Sequence, residues 1–390
     1  MLKNVAFCLT LFIIAFSCSS EDDQSEEVNS IDPTESLISK NTTQNNESVT
    51  ISFNREEMLA FWADSIIVPS YKKLTADLAI LREQIIELNE NATQEKLSVI
   101  REKWLLAYKT WQHVEMFNVG KAEEIYFLSH MNVYPVNEDR ITTNINLGEY
   151  DLENPNNYAT QGFPALDFML YGIGINDDEI LEKYQVVDSN HYKYLIDLID
   201  KMISKSTIVY EDWQTFRDEF VASSENTATS SINKLSNDFI YYFEKGLRAN
   251  KFGIPAGVFS VNKLPNKVEG YYSRSFSKVL ALESLDAVKN FFVGNAFENE
   301  SLIGKSFQAY LSHLNTDANN VGLGDDILSK LALAVEKVNE LSDSFVTQIN
   351  NDNTAMLITY DSIQAVVVLL KVDMLQTLNI NVDYADADGD

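Results

Sequence analysis

The sequence predicts an all-α protein built from long helices packed as bundles. Apolar residues recur at spacings of three and four, which is the period of one helix face. Glycine and proline, which interrupt helices, number only 14 and 7 among 390 residues. No series of alternating apolar and polar residues separated by tight-turn signals indicates β-hairpins. Together these observations favour helical bundles over sheets.

The helical pattern begins at Ile51 and is clearest in three long runs. Their apolar positions are Leu97, Ile100, Trp104, Tyr108, Trp111 and Val114; then Ile327, Leu331, Val335, Val338, Leu341 and Phe345; and finally Leu357, Tyr360, Ile363, Val367, Leu370 and Met374. Two shorter runs are marked by Phe239, Phe243 and Leu247, and by Phe276, Val279, Leu282 and Leu285. Glycines and prolines cluster at residues 148–174 and 253–270, where we expect connections.

The N-terminus has the pattern of a secretory signal. Lys3 precedes an apolar stretch, residues 5–16, that is too short to span a bilayer as a permanent helix. A small residue directly before Cys18 resembles the lipobox of bacterial lipoproteins, and the acidic residues that follow resemble surface-export signals. We therefore predict a signal peptide over residues 1–18 and an outer-membrane, surface-exposed lipoprotein anchored in membrane lipid by acylated Cys18. The alternative is an ordinary cleaved signal peptide.

The two cysteines, Cys8 and Cys18, both lie in this signal. The mature fold therefore has no thiol, which excludes disulfides, thiolate metal sites and cysteine nucleophiles. Residues 19–50 are rich in Ser, Asn, Thr, Gln, Glu and Asp with almost no aromatic residues, which predicts a flexible polar tether.

The charge balance excludes some partners. The chain has 58 acidic and 30 basic residues, a formal net charge of −28. Nucleic-acid binding depends on Lys and Arg neutralising phosphates, so we expect no nucleic-acid partner. The same balance argues against a basic membrane-surface module and fits a soluble protein or one that meets cations.

Residues 162–172 are the most informative stretch. Gly162 and Pro164 suit the entry to a helix, and Gly172 suits a left-handed C-cap. Between Pro164 and Gly172 only Asp167 is polar, so its carboxylate must reach a helix N-terminus, a cation or a cleft. The simplest interpretation is an Asp in the first helical turn, stabilised by free N–H groups.

This stretch resembles the G-x-H-x-x-E signature of the imelysin family, with Gly162, Pro164 and Asp167 at the Gly, His and Glu positions. Members of that family are bacterial envelope proteins once classed as peptidases and often linked to iron uptake. Four further segments resemble family motifs in the expected order, the last two those of its Bacteroidetes branch: residues 111–117, 132–139, 247–255 and 384–390. The resemblance implies two helical-bundle domains, which we place at residues 51–230 and 231–390.

The resemblance also implies a site near the domain interface. We expect Asp167 to lie there with Glu115, Tyr134 or Asp139, and Arg248. If a metal binds, Asp167 and Glu115 are its predicted ligands, with Asp139 or His113 as further candidates, an oxygen-rich set suited to hard cations. Iron or another divalent cation would bind weakly, because Pro164 replaces the nitrogen ligand. The structural alternative is a buried ion pair between Asp167 and Arg248.

Catalytic motifs are missing from the sequence. The four histidines, His113, His130, His191 and His313, include no H-E-x-x-H pair, and no G-x-S-x-G elbow occurs. Residues 304–306 resemble part of a phosphate loop, but Asn299 stands where the first glycine belongs. We therefore predict no catalytic residues. The resemblance implies a non-enzymatic envelope component in iron acquisition, with an iron-uptake or outer-membrane receptor as partner; the alternative is a peptidase of the imelysin type.

Overall fold

The computed structural model describes residues 52–315 and 322–384, so the predicted signal peptide, tether, Cys18 and acidic tail lie outside the described residues. The helices before residue 230 are α1 (Arg55–Phe61), α2 (Val68–Glu90), α3 (Gln94–Gln112), α4 (Lys121–Glu124), α5 (Phe127–Met131), α6 (Glu138–Leu147), α7 (Gly162–Asp167), α8 (Asp177–Glu182) and α9 (Asn190–Ala222). Those after it are α10 (Ser231–Tyr241), α11 (Ile254–Ala256), α12 (Ser277–Val293), α13 (Phe307–Asn315), α14 (Leu323–Glu340), α15 (Phe345–Asn351), α16 (Asn353–Val368) and α17 (Leu375–Leu378).

The all-α prediction is confirmed. The described residues contain a single small sheet, in which β1 (Asn295–Ala296) pairs antiparallel with β2 (Asn299–Ile303). Two 3-10 turns, Pro155–Thr160 and Pro265–Lys267, lie in the predicted glycine- and proline-rich connections.

Four π-helical segments continue α-helices: Trp62–Ile67, Phe168–Gly172, Tyr242–Gly253 and Leu369–Met374. Wider turns of this kind are frequent at functional sites. The second of them completes the signature stretch, and the third carries Arg248.

Polar caps fix where several helices begin. The side chains of Thr93, Asn137 and Ser189 accept hydrogen bonds from the backbone N–H groups two or three residues into α3, α6 and α9. Such caps satisfy N–H groups that have no partner inside the helix. The N-terminal ends of these helices are therefore set by local sequence.

The core contains the predicted helix faces. On α3, which packs against α2 and α12, Leu97, Trp104 and Trp111 are fully buried. The run from residue 327 to 345 is wrong as a single helix: α14 ends at Glu340, and Ser344 caps a new helix, α15. Leu357 also departs from the prediction, because it lies on an exposed part of α16.

Helices from the two predicted domains pack against each other, α12 on α3, and the described residues form one compact unit. A natural boundary exists between the end of α9 and the start of α10. The division near residue 230 stays a prediction.

One helical stretch, Asn353–Leu378, is long and apolar enough to cross a membrane by those two criteria alone. Within its most apolar window, 44% is buried inside the protein. Met356, Ile363 and Met374 lie on that buried face, which is the arrangement of a core helix.

The two glycines of the signature stretch have different roles from those predicted. Gly172 has no positive φ, so the predicted left-handed C-cap is wrong; an added Cβ there would meet Tyr272 at 2.5 Å. Gly162 has the positive φ instead, at +75°, and an added Cβ would lie 2.2 Å from the carbonyl oxygen of Met131. Gly162 is thus required both for its backbone conformation and for close approach to another backbone segment.

We expect Gly162→Ala to lower the free energy of unfolding by about 3 kcal/mol, from backbone strain and a clash that cannot relax easily. Gly148→Ala is the matched control, because Gly148 has a similar φ of +69° but its nearest neighbouring atom is 3.8 Å away. Strain alone should cost that variant about 1 kcal/mol. Urea denaturation measures the free energy of unfolding of both variants. Equal losses of free energy in the two variants would show that the contact with Met131 does not contribute.

Candidate functional site

The signature helix α7 is buried on every side, as the sequence predicted. It packs against α3, α5 and α9. The indole N–H of Trp104 donates to the carbonyl oxygen of Phe163 over 3.3 Å, and the Phe163 ring stacks on Tyr108 with centroids 4.4 Å apart. These contacts fix the position of the helix, and with it the position of Asp167.

The carboxylate of Asp167 holds a neighbouring backbone segment. It lies at the C-terminal end of α7, so the first-turn interpretation is wrong. Its Oδ2 accepts a hydrogen bond from the N–H of Tyr272 at 2.8 Å, and its Oδ1 accepts one from the N–H of Ser273 at 3.0 Å. Burial raises the pKa of Asp167 to about 7, although the two N–H donors oppose this shift. Both oxygens of the Asp167 carboxylate therefore have a structural role.

Arg248 faces a different part of the protein. Its guanidinium donates to the hydroxyl of Tyr360 and to Oε1 of Gln364, both at 2.6 Å, and lies 3.5 Å from the Glu244 carboxylate. The predicted ion pair between Asp167 and Arg248 is therefore wrong. The physical reason is that the π-helical segment Tyr242–Gly253 directs Arg248 towards α16, against which it packs.

A second group of polar residues, which we call the Lys251 cluster, lies beside the end of α3: Gln112, Glu115, Asn132, Lys251 and Glu269. The Lys251 ammonium donates to Oε2 of Glu269 at 2.5 Å and to Oε1 of Gln112 at 2.8 Å. The Asn132 amide donates to Oε1 of Glu115 at 3.0 Å and to Oε1 of Glu269 at 2.9 Å. Two acidic residues and one lysine thus share a buried network.

Four members of this cluster, all except Glu115, were missed by the sequence analysis. Gln112, Asn132 and Lys251 lie in segments that it singled out as resembling family motifs, and their position in those segments is the signal that could have found them. Glu269 stands alone in a connection, and no local pattern identifies it.

The remaining predicted site residues do not come together in one pocket. Burial and the neighbouring Glu269 and Glu115 carboxylates raise the pKa of Tyr134 well above its usual value. Tyr134, Pro164 and Asp167 line one cleft of about 10 Å³, room for no more than one water. Asp139 is exposed in the first turn of α6, so its predicted place in the pocket is wrong. Its neighbour Glu138 instead accepts a hydrogen bond from the Tyr272 hydroxyl at 2.6 Å.

Glu115 is a predicted site residue whose carboxylate lies beside a cavity. A cavity of about 220 Å³ is lined by Glu115, Asn132 and Tyr242, among others. Oε2 of Glu115 is buried without a hydrogen bond of regular geometry among the described residues; the Trp111 indole and the Tyr242 hydroxyl lie beside the carboxylate, and the Lys251 ammonium is 3.8 Å away. Burial raises the pKa of Glu115, while the charge of Lys251 opposes this shift.

The described residues contain no group of three or more His, Cys, Asp or Glu side chains that could hold a metal ion. In particular, Asp167 and Glu115 do not form the predicted pair of ligands, since Asp167 is bonded to backbone N–H groups. His113 lies elsewhere, with its Nε2 2.9 Å from Oε1 of Glu283.

Comparisons with known proteins agree with this architecture. A family model described as Imelysin (Peptidase_M75) matches residues 67–372. The chain resembles a crystal structure of an imelysin-like protein from Psychrobacter arcticum, with a TM-score of 0.67 and 17% identity over 85% of this chain and 97% of that one. It also resembles a protein described as an iron-regulated protein A precursor from Parabacteroides distasonis, with a TM-score of 0.69 and 14% identity over 83% and 95% of the two chains.

A curated relative, iron-regulated protein A of Synechococcus elongatus, is 24% identical over 110 residues. That match spans 28% of this chain and 30% of the relative.

Asp167→Asn tests the architectural role of the carboxylate. Burial raises the folded-state pKa from 3.8 to about 7, so the folded protein holds this proton more tightly than the unfolded chain. Its contribution to stability is greatest below the unfolded pKa and is lost as the pH rises through about 7. We therefore expect the destabilisation caused by Asp167→Asn to shrink between pH 5 and pH 8. Urea denaturation at both pH values measures the difference in free energy of unfolding between wild type and Asp167→Asn, with the exposed Asp178→Asn as control. A difference that grows as the pH rises would contradict a raised pKa for Asp167.

Proposed function

The chain belongs to the imelysin family, and we propose that it is a non-enzymatic binding component of the bacterial cell envelope that acts in iron acquisition. The observation that carries this proposal is the Glu115 carboxylate. One of its oxygens is held by Asn132, and the other is buried at the wall of a cavity without a hydrogen bond in the described structure.

The geometry at Glu115 suits a positively charged ligand. A carboxylate held rigidly on one side and unbonded on the other needs no reorganisation to bind. Burial favours its neutral form, and a cation in the cavity would favour the ionised form. The ligand class is therefore an iron ion or the charged part of an iron-bearing compound, bound weakly because no group of three or more acidic, histidine or cysteine side chains that could hold a metal ion occurs among the described residues.

Two relatives support the connection with iron. The Synechococcus elongatus protein carries the name iron-regulated protein A, and the Parabacteroides distasonis protein is described as a precursor of the same kind. The second description also supports export from the cytoplasm.

A peptidase has less support from the geometry. Ser284 donates to Oε1 of Gln112 at 2.6 Å, and His113 pairs with Glu283. Neither forms the serine–histidine contact that nucleophilic catalysis needs.

The proposed location is the outer membrane, with the lipid attached to Cys18 and an iron-uptake or outer-membrane receptor as partner. The N-terminal sequence pattern supports this proposal. We expect Cys18→Ala to move the protein from the detergent phase to the aqueous phase in a partition assay, because acyl chains supply the affinity for the membrane. Unchanged partitioning would contradict the anchor.

The binding proposal is tested by calorimetry with ferrous ion under anaerobic conditions, and with ferric citrate. Replacing Glu115 by Gln keeps the hydrogen bond from Asn132 but removes the charge, so we expect Glu115→Gln to weaken binding about tenfold or more. Glu102→Gln is the matched control, since it removes the same charge from an exposed position on α3, the helix that ends just before Glu115. Equal affinities of wild type and Glu115→Gln for both probes would overturn the proposal.

A further inference from the structure

A second cavity lies between α3, α12 and the turn that joins β1 to β2, and its volume is about 520 Å³. It is larger than the cavity beside Glu115, which has about 220 Å³. Volumes near 500 Å³ are usual for sites that bind small organic molecules. Met116 is the only described residue that lines both spaces, so the proposed iron function leaves this larger cavity without a role.

The charged side chains of this cavity are separated by sign. The lysines come from one side, Lys73 on α2 and Lys109 on α3. The acidic side chains come from the elements that form the other side, Glu283 and Asp286 on α12 and Glu298 in the turn between the strands. A molecule that spans the cavity therefore meets ammonium groups on one wall and carboxylates on the other.

The lysines are held in place by acidic partners. Oε2 of Glu283 lies 2.8 Å from Nζ of Lys109, and its Oε1 lies 2.9 Å from Nε2 of His113. Burial alone would raise the pKa of Glu283, but the hydrogen bonds from His113 and Lys109 outweigh burial and lower the pKa. Lys73 is 2.7 Å from the buried carboxylate of Asp77. Because an ammonium group has three N–H donors, Lys109 can still donate to a ligand.

The acidic wall has acceptors that are not used within the protein. The N–H of Phe297 donates to the carbonyl oxygen of Ser65 at 2.9 Å, which attaches the turn to the first π-helical segment. The next residue, Glu298, has a positive φ of 57°, an uncommon and strained conformation for a residue with a side chain. Its exposed carboxylate has no hydrogen bond or ion pair with the described residues. Asn290 donates to Oδ2 of Asp286 at 2.8 Å, and Oδ1 has no partner among the described residues.

Apolar side chains form much of the remaining lining. The Phe297 ring is half-buried and lies edge-on to the His113 ring, with centroids 5.5 Å apart. The other apolar residues that line the cavity are Ile66, Leu106, Met116, Phe117, Ala287, Phe291 and Ala296. These side chains can remove an apolar group of a ligand from water.

We propose that this cavity binds a small zwitterion with an apolar side chain, the chemical class of free amino acids and dipeptides. Lys109, with Lys73 beside it, binds the carboxylate, and Asp286 and Glu298 bind the ammonium group. Phe297 and the other apolar residues of the cavity contact the side chain. A ligand with a single charge would desolvate one wall without pairing it, and such a loss is not repaid.

Calorimetry of the wild-type protein in metal-free buffer tests this class of ligand. L-leucine and L-leucyl-L-leucine are the two zwitterionic probes, and the tighter of the two identifies the source as a free amino acid or a dipeptide. N-acetyl-L-leucine lacks the ammonium group, and L-leucinamide lacks the carboxylate. We expect each of these two to bind about tenfold or more weakly than L-leucine, because each loses hydrogen bonds between charged groups.

Two variants assign the walls. Asp286→Asn should weaken L-leucine binding about tenfold but leave the affinity for N-acetyl-L-leucine unchanged, since that probe has no ammonium group. Lys109→Met should weaken L-leucine binding equally and leave the affinity for L-leucinamide unchanged. Asp325→Asn, at an exposed position of α14, and Lys103→Met, on α3 but outside the cavity lining, are the matched controls and should bind like wild type. Melting temperatures without ligand confirm that each variant folds.

Three results would overturn the inference: no binding of either zwitterion to wild type, equal affinity for N-acetyl-L-leucine and L-leucine, or affinities that Asp286→Asn and Lys109→Met leave unchanged. The result is independent of the proposed function, because Glu115 does not line this cavity. Glu115→Gln should therefore bind L-leucine like wild type, whether or not the same variant loses iron binding.

Discussion

The ion pair between Lys251 and Glu269 is the contact on which the rest of the site depends. Lys251 is 2% exposed and Glu269 is 3% exposed, so each charge requires the other. Gln112 and Asn132 complete the network, and they connect the pair to α3 and to the connection before α6. The second carboxylate, Glu115, is thereby held at the edge of this network with one oxygen left to face the cavity.

Asp167 is a second buried acidic residue whose burial requires polar partners. A buried carboxylate needs donors, and here they come from the backbone N–H groups of Tyr272 and Ser273. The signature helix is therefore attached to the connection that begins just after Glu269. The two carboxylates thus have different surroundings: both oxygens of Asp167 accept hydrogen bonds from backbone N–H groups, and Glu115 lies beside a cavity. Pro164, on the same buried helix as Asp167, is buried as well.

The features that depend on residues close together in sequence were predicted correctly. The helical spacing of apolar residues predicted the buried faces of α3 and α14. The nearly all-apolar stretch around Asp167 predicted that α7 is buried together with this one carboxylate. Partners distant in sequence could not be predicted in this way: 105 residues separate Asp167 from Tyr272. An ion pair between Arg248 and Asp167 was the structural alternative, whereas the π-helical segment directs Arg248 to Tyr360. The left-handed glycine is Gly162 and not Gly172, because the close approach of Met131 decides it.

The central claim is that the Lys251–Glu269 pair holds the Lys251 cluster together, and a double-mutant cycle tests this claim most directly. Lys251→Met and Glu269→Gln are each expected to lower the free energy of unfolding by about 3 kcal/mol or more, because each leaves a buried charge without its partner. The double variant should lose clearly less than the sum of the two. Additive losses would contradict the account, since they would mean that the two charges do not depend on each other.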